Sequence, residues 1–176
     1  MMNRRNFLKA SLAGGAVTAL NQIPVQATPT TSPAPDLMTD AVPERKGKSV
    51  LGLRCQPIPT VRLGIVGLGR GAGAVERMSH IEGTEIVALC DLNEDRIENC
   101  RQILKKNGRK DPAIYTGEED WKKMCERDDI DLIYNATPWT LHVPIALYAM
   151  DHGKHVVIEV PAALTVKDCW ALVDKA

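Results

Sequence analysis

Six residues, Gly67-Leu68-Gly69-Arg70-Gly71-Ala72, follow a short apolar run, Leu63 to Val66. They fit Gly-x-Gly-x-x-Ala. In that pattern the first glycine makes a tight strand-to-helix turn and the second lets backbone approach a diphosphate. The last position stays small so that helix and strand can pack. The helix start then presents free N–H groups and a positive dipole end to the anion. Asp91 lies 22 residues beyond Gly69, at the end of the next apolar run. There a carboxylate accepts hydrogen bonds from the adenosine ribose and repels a 2′-phosphate, which favours NAD over NADP. Asp91 could instead cap the helix that starts near Asn93.

Two more groups fall where the later half of such a sheet would end. Trp139-Thr140-Leu141-His142 follows the run Leu132 to Ala136, and Glu159-Val160-Pro161 closes the run that starts at His155. Both would lie at the carboxyl edge of a parallel sheet, where ligands bind. Trp139 and His142 are three apart and share a face if that stretch is already helical. His142 is either a nicotinamide-side residue or a solvated one. Glu159 either faces the nicotinamide or caps the next segment. His152 and His155 fall at the opposite edge and have no assigned role.

The elements that must position these groups alternate. Strands are expected at Leu63 to Val66, Glu85 to Cys90, Ala113 to Tyr115, Leu132 to Ala136 and His155 to Glu159. Helices are expected at Gly71 to His80, Asn93 to Lys106, Glu118 to Arg127, Val143 to Asp151 and Val166 to Lys175. Alternation of this kind makes a parallel sheet covered on both faces, a doubly wound, Rossmann-like α/β fold. Val166, Trp170 and Val173 share one helical face, read as core packing. A sixth strand would normally follow the last helix. The chain reads as a fold truncated before a second, α+β domain.

Ahead of the domain, Arg4-Arg5 opens an apolar stretch from Phe7 to Leu20, followed by Val25-Gln26-Ala27. Paired arginines before such a run mark the twin-arginine export machinery as a partner. The run is too short for a stable membrane anchor and has the order of a cleavable leader, residues 1–27; an uncleaved anchor is the alternative. Residues 28–60 are a linker rich in proline: seven of the eleven prolines precede residue 61. The folded domain is residues 61–176. Export places the protein in the periplasm or outside the cell. A nicotinamide cofactor there must stay bound and be regenerated within each turnover.

Composition excludes other classes. The leader removes three of the 22 Lys and Arg, which leaves 19 basic against 22 acidic residues. A mildly acidic body with 4% aromatics offers nothing to nucleic acid. The five cysteines form no Cys-x-x-Cys pair and no zinc spacing with histidine, so no metal site is expected. Cys90 and Cys169 stand in apolar contexts and read as buried thiols.

From about Ser49 to Ala176 the chain resembles the amino-terminal domain of the Gfo/Idh/MocA family. Within it, the nearest likeness is to glycoside hydrolase family 109, the NAD-dependent alpha-N-acetylgalactosaminidases. The stretches that carry it are Val87 to Asp91, Thr137-Pro138-Trp139, His142-Val143-Pro144, Gly153-Lys154-His155, Glu159 to Ala163 and Asp168-Cys169-Trp170. The wider family usually has Glu-Lys-Pro after strand five. Val160 replaces that lysine, as in the family 109 branch. The resemblance implies cofactor contacts at Arg70, Gly71, Asp91, Trp139, Thr140, Leu141, His142, Glu159 and Val160. One residue between Gly69 and Arg70 is missing relative to that branch, so the glycine turn is expected to be shortened. The tyrosine and histidine credited with acting on the sugar belong to a following domain and have no matching position here, so no catalytic residue is assigned.

Three functions stay open on these residues. One is an exported NAD-dependent glycosidase acting on a sugar by transient oxidation. Another is an exported sugar oxidoreductase with tightly held NAD(P). The third is an inactive truncated product, and this chain by itself is expected to bind NAD at best and hydrolyse nothing.

Overall fold

A computed structural model describes residues 55–176; the leader and most of the expected linker lie outside the described residues. Five parallel strands form one sheet in the order β3-β2-β1-β4-β5. They are β1 (Val61–Val66), β2 (Thr84–Cys90), β3 (Ala113–Tyr115), β4 (Leu132–Asn135) and β5 (His155–Ile158). Helices α1 (Leu68–Ser79), α2 (Glu94–Lys106), α3 (Asp120–Cys125), α4 (His142–Asp151) and α5 (Val166–Lys175) connect them. The order reverses between β1 and β4, and the crevice outside such a reversal is where open α/β sheets bind ligands.

Side-chain alternation along β1 makes the two-sided core. Leu63 and Ile65 join Leu68, Ala74 and Val75 of α1 and Ile97, Cys100 and Leu104 of α2. Val66 faces the opposite side, with Met124, Ile133, Ile145 and Ala149. Gly64 points the same way, and a Cβ there would stand 3.1 Å from Ile130, Ile133 and Met124 side chains. On β2 the register slips by one residue between Leu63/Gly64 and their partners Ile86/Ala88. That extra residue puts Ile86 and Leu89 on one face despite their odd spacing.

The ends of the sheet are tied by charge and caps. Arg62 at the start of β1 grips Asp131 ahead of β4, with Nη2–Oδ1 at 2.6 Å and Nε–Oδ2 at 2.9 Å. Hydrogen bonding from Arg62 holds the Asp131 carboxyl below the ordinary carboxylate range. Asn93 caps α2 by accepting the Arg96 N–H at 3.1 Å, and Thr165 caps α5 by accepting the Asp168 N–H at 3.1 Å.

Several expectations are corrected. Helix α1 begins at Leu68, three residues before the expected Gly71, because Gly67 turns the chain at φ +84° within one residue. Helix α3 is Asp120–Cys125, shorter at both ends than Glu118 to Arg127. The expected core face of α5 is not core: Val166 and Val173 are exposed, Trp170 is half-buried, and α5 buries no residue fully. Helix α5 packs mainly on α4, so one apolar stripe meets little cover. Cys169, on the same helix, is exposed, whereas Cys90, Cys100 and Cys125 are buried.

Candidate functional site

Gly67 is the pivot of the crevice. Its N–H donates to the Cys90 carbonyl at 2.8 Å, tying β1 to β2 as the chain turns. A Cβ on Gly67 would lie 2.5 Å from the Ala136 carbonyl oxygen, so only glycine lets β1 and β4 close here. Gly71 supplies the close helix–strand approach: its Cβ position is 3.2 Å from Ile65 Cγ2. The motif reading had given that role to Ala72. The earlier helix start moves it back by one position. At Gly69 a Cβ would meet nothing nearer than the Arg96 guanidinium, 3.7 Å away, so this part of the turn is bare.

The first N–H groups of a helix have no partner within it. Leu68 donates its N–H to Asp91 Oδ2 at 2.6 Å. Asp91 Oδ1 accepts the Asn93 N–H at 2.8 Å, and the Arg96 guanidinium stands 3.7 Å from Oδ2. The carboxylate therefore braces the glycine turn, while the cap of α2 belongs to Asn93. Ionised oxygens accept more than one hydrogen bond each, which leaves room for ribose hydroxyls.

Above these groups opens a cavity of about 560 Å³ at the carboxyl edge. Gly67, Gly69, Arg70 and Asp91 line one part of it. Trp139, Leu141, His142, Glu159 and Val160 line another. Thr140 and Gly71 do not reach it; Thr140 lines smaller hollows beside Leu164. Among the described residues no lysine lines the cavity, and no cluster of His, Cys, Asp or Glu could hold a metal. The Cys90 thiol at its edge is pushed up to about 12 by burial, which keeps it protonated.

Trp139 and His142 part company. A 3₁₀ turn spans Trp139–Leu141 before α4, and both residues line the cavity, but they differ in burial. Trp139 is 60% exposed at the rim, and His142 is 1% exposed. The His142 ring is neither solvated nor free: Nδ1 lies 2.8 Å from the Pro161 carbonyl oxygen and Nε2 2.9 Å from that of Thr137. It ties the loop after β4 to the loop after β5.

Asn135, which the sequence did not single out, completes the brace. It is fully buried. Its amide donates to the His142 carbonyl at 3.1 Å, and its Oδ1 accepts the Thr137 N–H at 3.2 Å and hydroxyl at 2.7 Å. A polar residue ending an apolar strand was the available signal.

Glu159 Oε1 accepts the Tyr134 hydroxyl at 2.7 Å. That bond holds the Glu159 carboxyl below its ordinary value, assisted by the Val160 N–H and by Arg70 and Arg77. Burial, then the same bond, raises Tyr134. Glu159 is thus a fixed anion in the later half of the crevice.

Residues 61–176 match the family model described as oxidoreductase family, NAD-binding Rossmann fold. The chain belongs to the Gfo/Idh/MocA family. Residues 1–20 match the twin-arginine translocation pathway signal sequence. A relative from Bacteroides fragilis named alpha-N-acetylgalactosaminidase is 53% identical over 128 residues, 72% of this chain and 30% of that protein. A glycosyl hydrolase family 109 protein from Phocaeicola vulgatus is 46% identical over 178 residues, 99% of this chain and 37% of that one. The chain thus spans about a third of the length of these curated relatives.

Solved Gfo/Idh/MocA-like structures agree in fold. A myo-inositol dehydrogenase from Lactobacillus casei, in complex with NAD(H) and myo-inositol, has TM-score 0.56 at 24% identity, covering 66% of this chain and 33% of its own. An aldose-aldose oxidoreductase from Caulobacter crescentus complexed with glycerol has TM-score 0.54 at 28% identity, with 66% and 34% covered. This Gfo/Idh/MocA domain is an NAD-binding Rossmann domain.

Proposed function

We propose that the crevice holds NAD with the adenosine ribose at Asp91, the diphosphate on the first turn of α1, and the nicotinamide between Trp139, Glu159 and Val160. In this reading Gly69 and Arg70 meet the phosphates, Leu141 and Val160 give apolar contact, and His142 braces the crevice loops. The domain serves an exported glycosidase that acts on an N-acetylated sugar. Bound NAD would supply a hydride acceptor for the sugar's C3 and take part again in the return of that hydride, so that the held cofactor is unchanged over the turnover.

The observation that carries the glycosidase reading is the Glu159-Val160 wall, with Val160 lining the cavity where the wider family's lysine stands. A dehydrogenase of the usual family pattern relies on a lysine there to move the alcohol proton. The 53% identity to an alpha-N-acetylgalactosaminidase points the same way. A self-regenerating cofactor also suits the compartment implied by the twin-arginine signal. A sugar oxidoreductase that passes hydride between two sugars is the second reading, favoured by the likeness to the aldose-aldose oxidoreductase.

The test is an assay of the whole gene product with an aryl alpha-N-acetylgalactosaminide in deuterium oxide. The expected result is NAD-dependent release of the phenol, deuterium at sugar C2, and no net NADH. Oxidised sugar formed without phenol release would establish the oxidoreductase instead.

A further inference from the structure

We infer that Arg96 sets how strictly the site separates NAD from NADP, by offsetting the charge of Asp91 at the adenosine ribose. The inference rests on the assignment of this crevice to the dinucleotide and goes beyond it. A carboxylate standing alone after β2 repels a 2′-phosphate. Asp91 does not stand alone. Its side chain is only 7% exposed, both its oxygens accept backbone N–H groups, and Arg96 Nη1 lies 3.7 Å from Oδ2. The Arg96 side chain is 55% exposed and lines the cavity. What a nucleotide meets there is an inner anion with an outer cation.

The position of Arg96 is fixed from below. It sits in the first turn of α2, with its backbone N–H held by the Asn93 cap. Its guanidinium reaches back over Gly69, 3.7 Å from where a Cβ would stand. The same group therefore borders both the ribose acid and the bare part of the glycine turn. A ribose oxygen bonded to Asp91 at about 2.7 Å falls within reach of a guanidinium this close. A guanidinium binds phosphate through paired N–H donors, whereas a neutral 2′-hydroxyl gains little from it. Glu118 also lines this cavity, and Glu94 and Asp95 share the first turn of α2. Arg96 is the cation found against Asp91.

Titration of the full chain with NADH and with NADPH, read by cofactor fluorescence, tests this. The wild type should bind both, NADH more tightly. Arg96→Gln should weaken NADPH by roughly tenfold, the loss of one charge-assisted contact, and NADH by much less. Arg96→Lys should recover part of the NADPH affinity. Asp91→Asn should strengthen NADPH relative to NADH. A merely structural ion pair would lower both nucleotides together in Arg96→Gln, and that result overturns the inference. So does NADPH binding undetectable beside NADH in the wild type. Wild-type chain that binds neither nucleotide would defeat the cofactor assignment itself. An unchanged NADH-to-NADPH ratio in a variant that still binds NADH would defeat only the role of Arg96.

Discussion

The three glycines of the turn are predicted to behave in three different ways when changed to alanine. Gly67→Ala meets two penalties. An L-residue at φ +84° costs about 1–2 kcal/mol. The new Cβ would also stand 2.5 Å from the Ala136 carbonyl oxygen and 2.6 Å from its carbon, where about 3.5 Å is a normal contact. Relief requires the ends of β1 and β4 to part. That strains the Ala136 N–H to Val66 carbonyl bond, now 2.8 Å, a bond of about 1 kcal/mol net. The total is about 2–4 kcal/mol, a large share of the stability of an ordinary domain. Gly69→Ala meets neither penalty. Its Cβ has open space, and alanine in a helix gains up to about 1 kcal/mol over glycine. Yet its methyl would stand where a diphosphate must approach backbone, so NADH affinity should fall by at least roughly tenfold. Gly71→Ala falls between, with one side-chain contact at 3.2 Å that Ile65 can partly relieve. Urea unfolding followed by tryptophan fluorescence gives stability, and NADH titration gives affinity. Gly69→Ala unfolding as readily as Gly67→Ala, or binding NADH as the wild type does, would refute the geometry.

Asn135→Asp should destabilise the domain by roughly 2–4 kcal/mol, because a carboxylate oxygen would face the His142 carbonyl in a fully buried site. Thermal unfolding and NADH titration should both show a loss, and an unchanged pair of values would remove the bracing role. The folded-state value of Asp131 is depressed by Arg62, so its contribution is present above the unfolded value, about 3.9, and lost as pH falls through the folded value. Asp131→Asn should therefore lower stability at neutral pH and flatten the acid limb below about pH 4 in urea melts. In the native protein a thiol reagent should label Cys55 and Cys169 quickly. Cys90 and Cys125, pushed up to about 12 by burial, and Cys100, pushed up to about 11, should react only on unfolding; fast labelling of more than two thiols would contradict the packing.

The alternation of strands and helices was legible because each apolar run carries its own period, and period is a local property of the chain. The five strands were found with ends shifted by a residue or two, and the glycine turn and Asp91 stand where their spacing put them. The same local logic misplaced the α5 face, since periodicity says which residues would be buried together, not whether anything lies opposite. It also assigned the close approach to Ala72 instead of Gly71, because a one-residue shift at the start of α1 depends on how Gly67 meets Ala136 across the sheet. Trp139 and His142 were paired by their spacing of three. Two carbonyl oxygens, from Thr137 and from Pro161, 19 residues beyond His142, hold its ring inside, and Trp139 stays at the rim.

The sequence by itself determined a parallel doubly wound fold, a nucleotide turn, its acid and an export signal. Each is written in short local stretches of the chain, where backbone preference and side-chain period act directly. Tertiary structure alone decided that His142 reaches the Pro161 carbonyl and that Asp91 is held by the Leu68 N–H. Each is a hydrogen bond whose energy depends on distance and burial, and neither exists until separate strands have been brought together at one edge of the sheet.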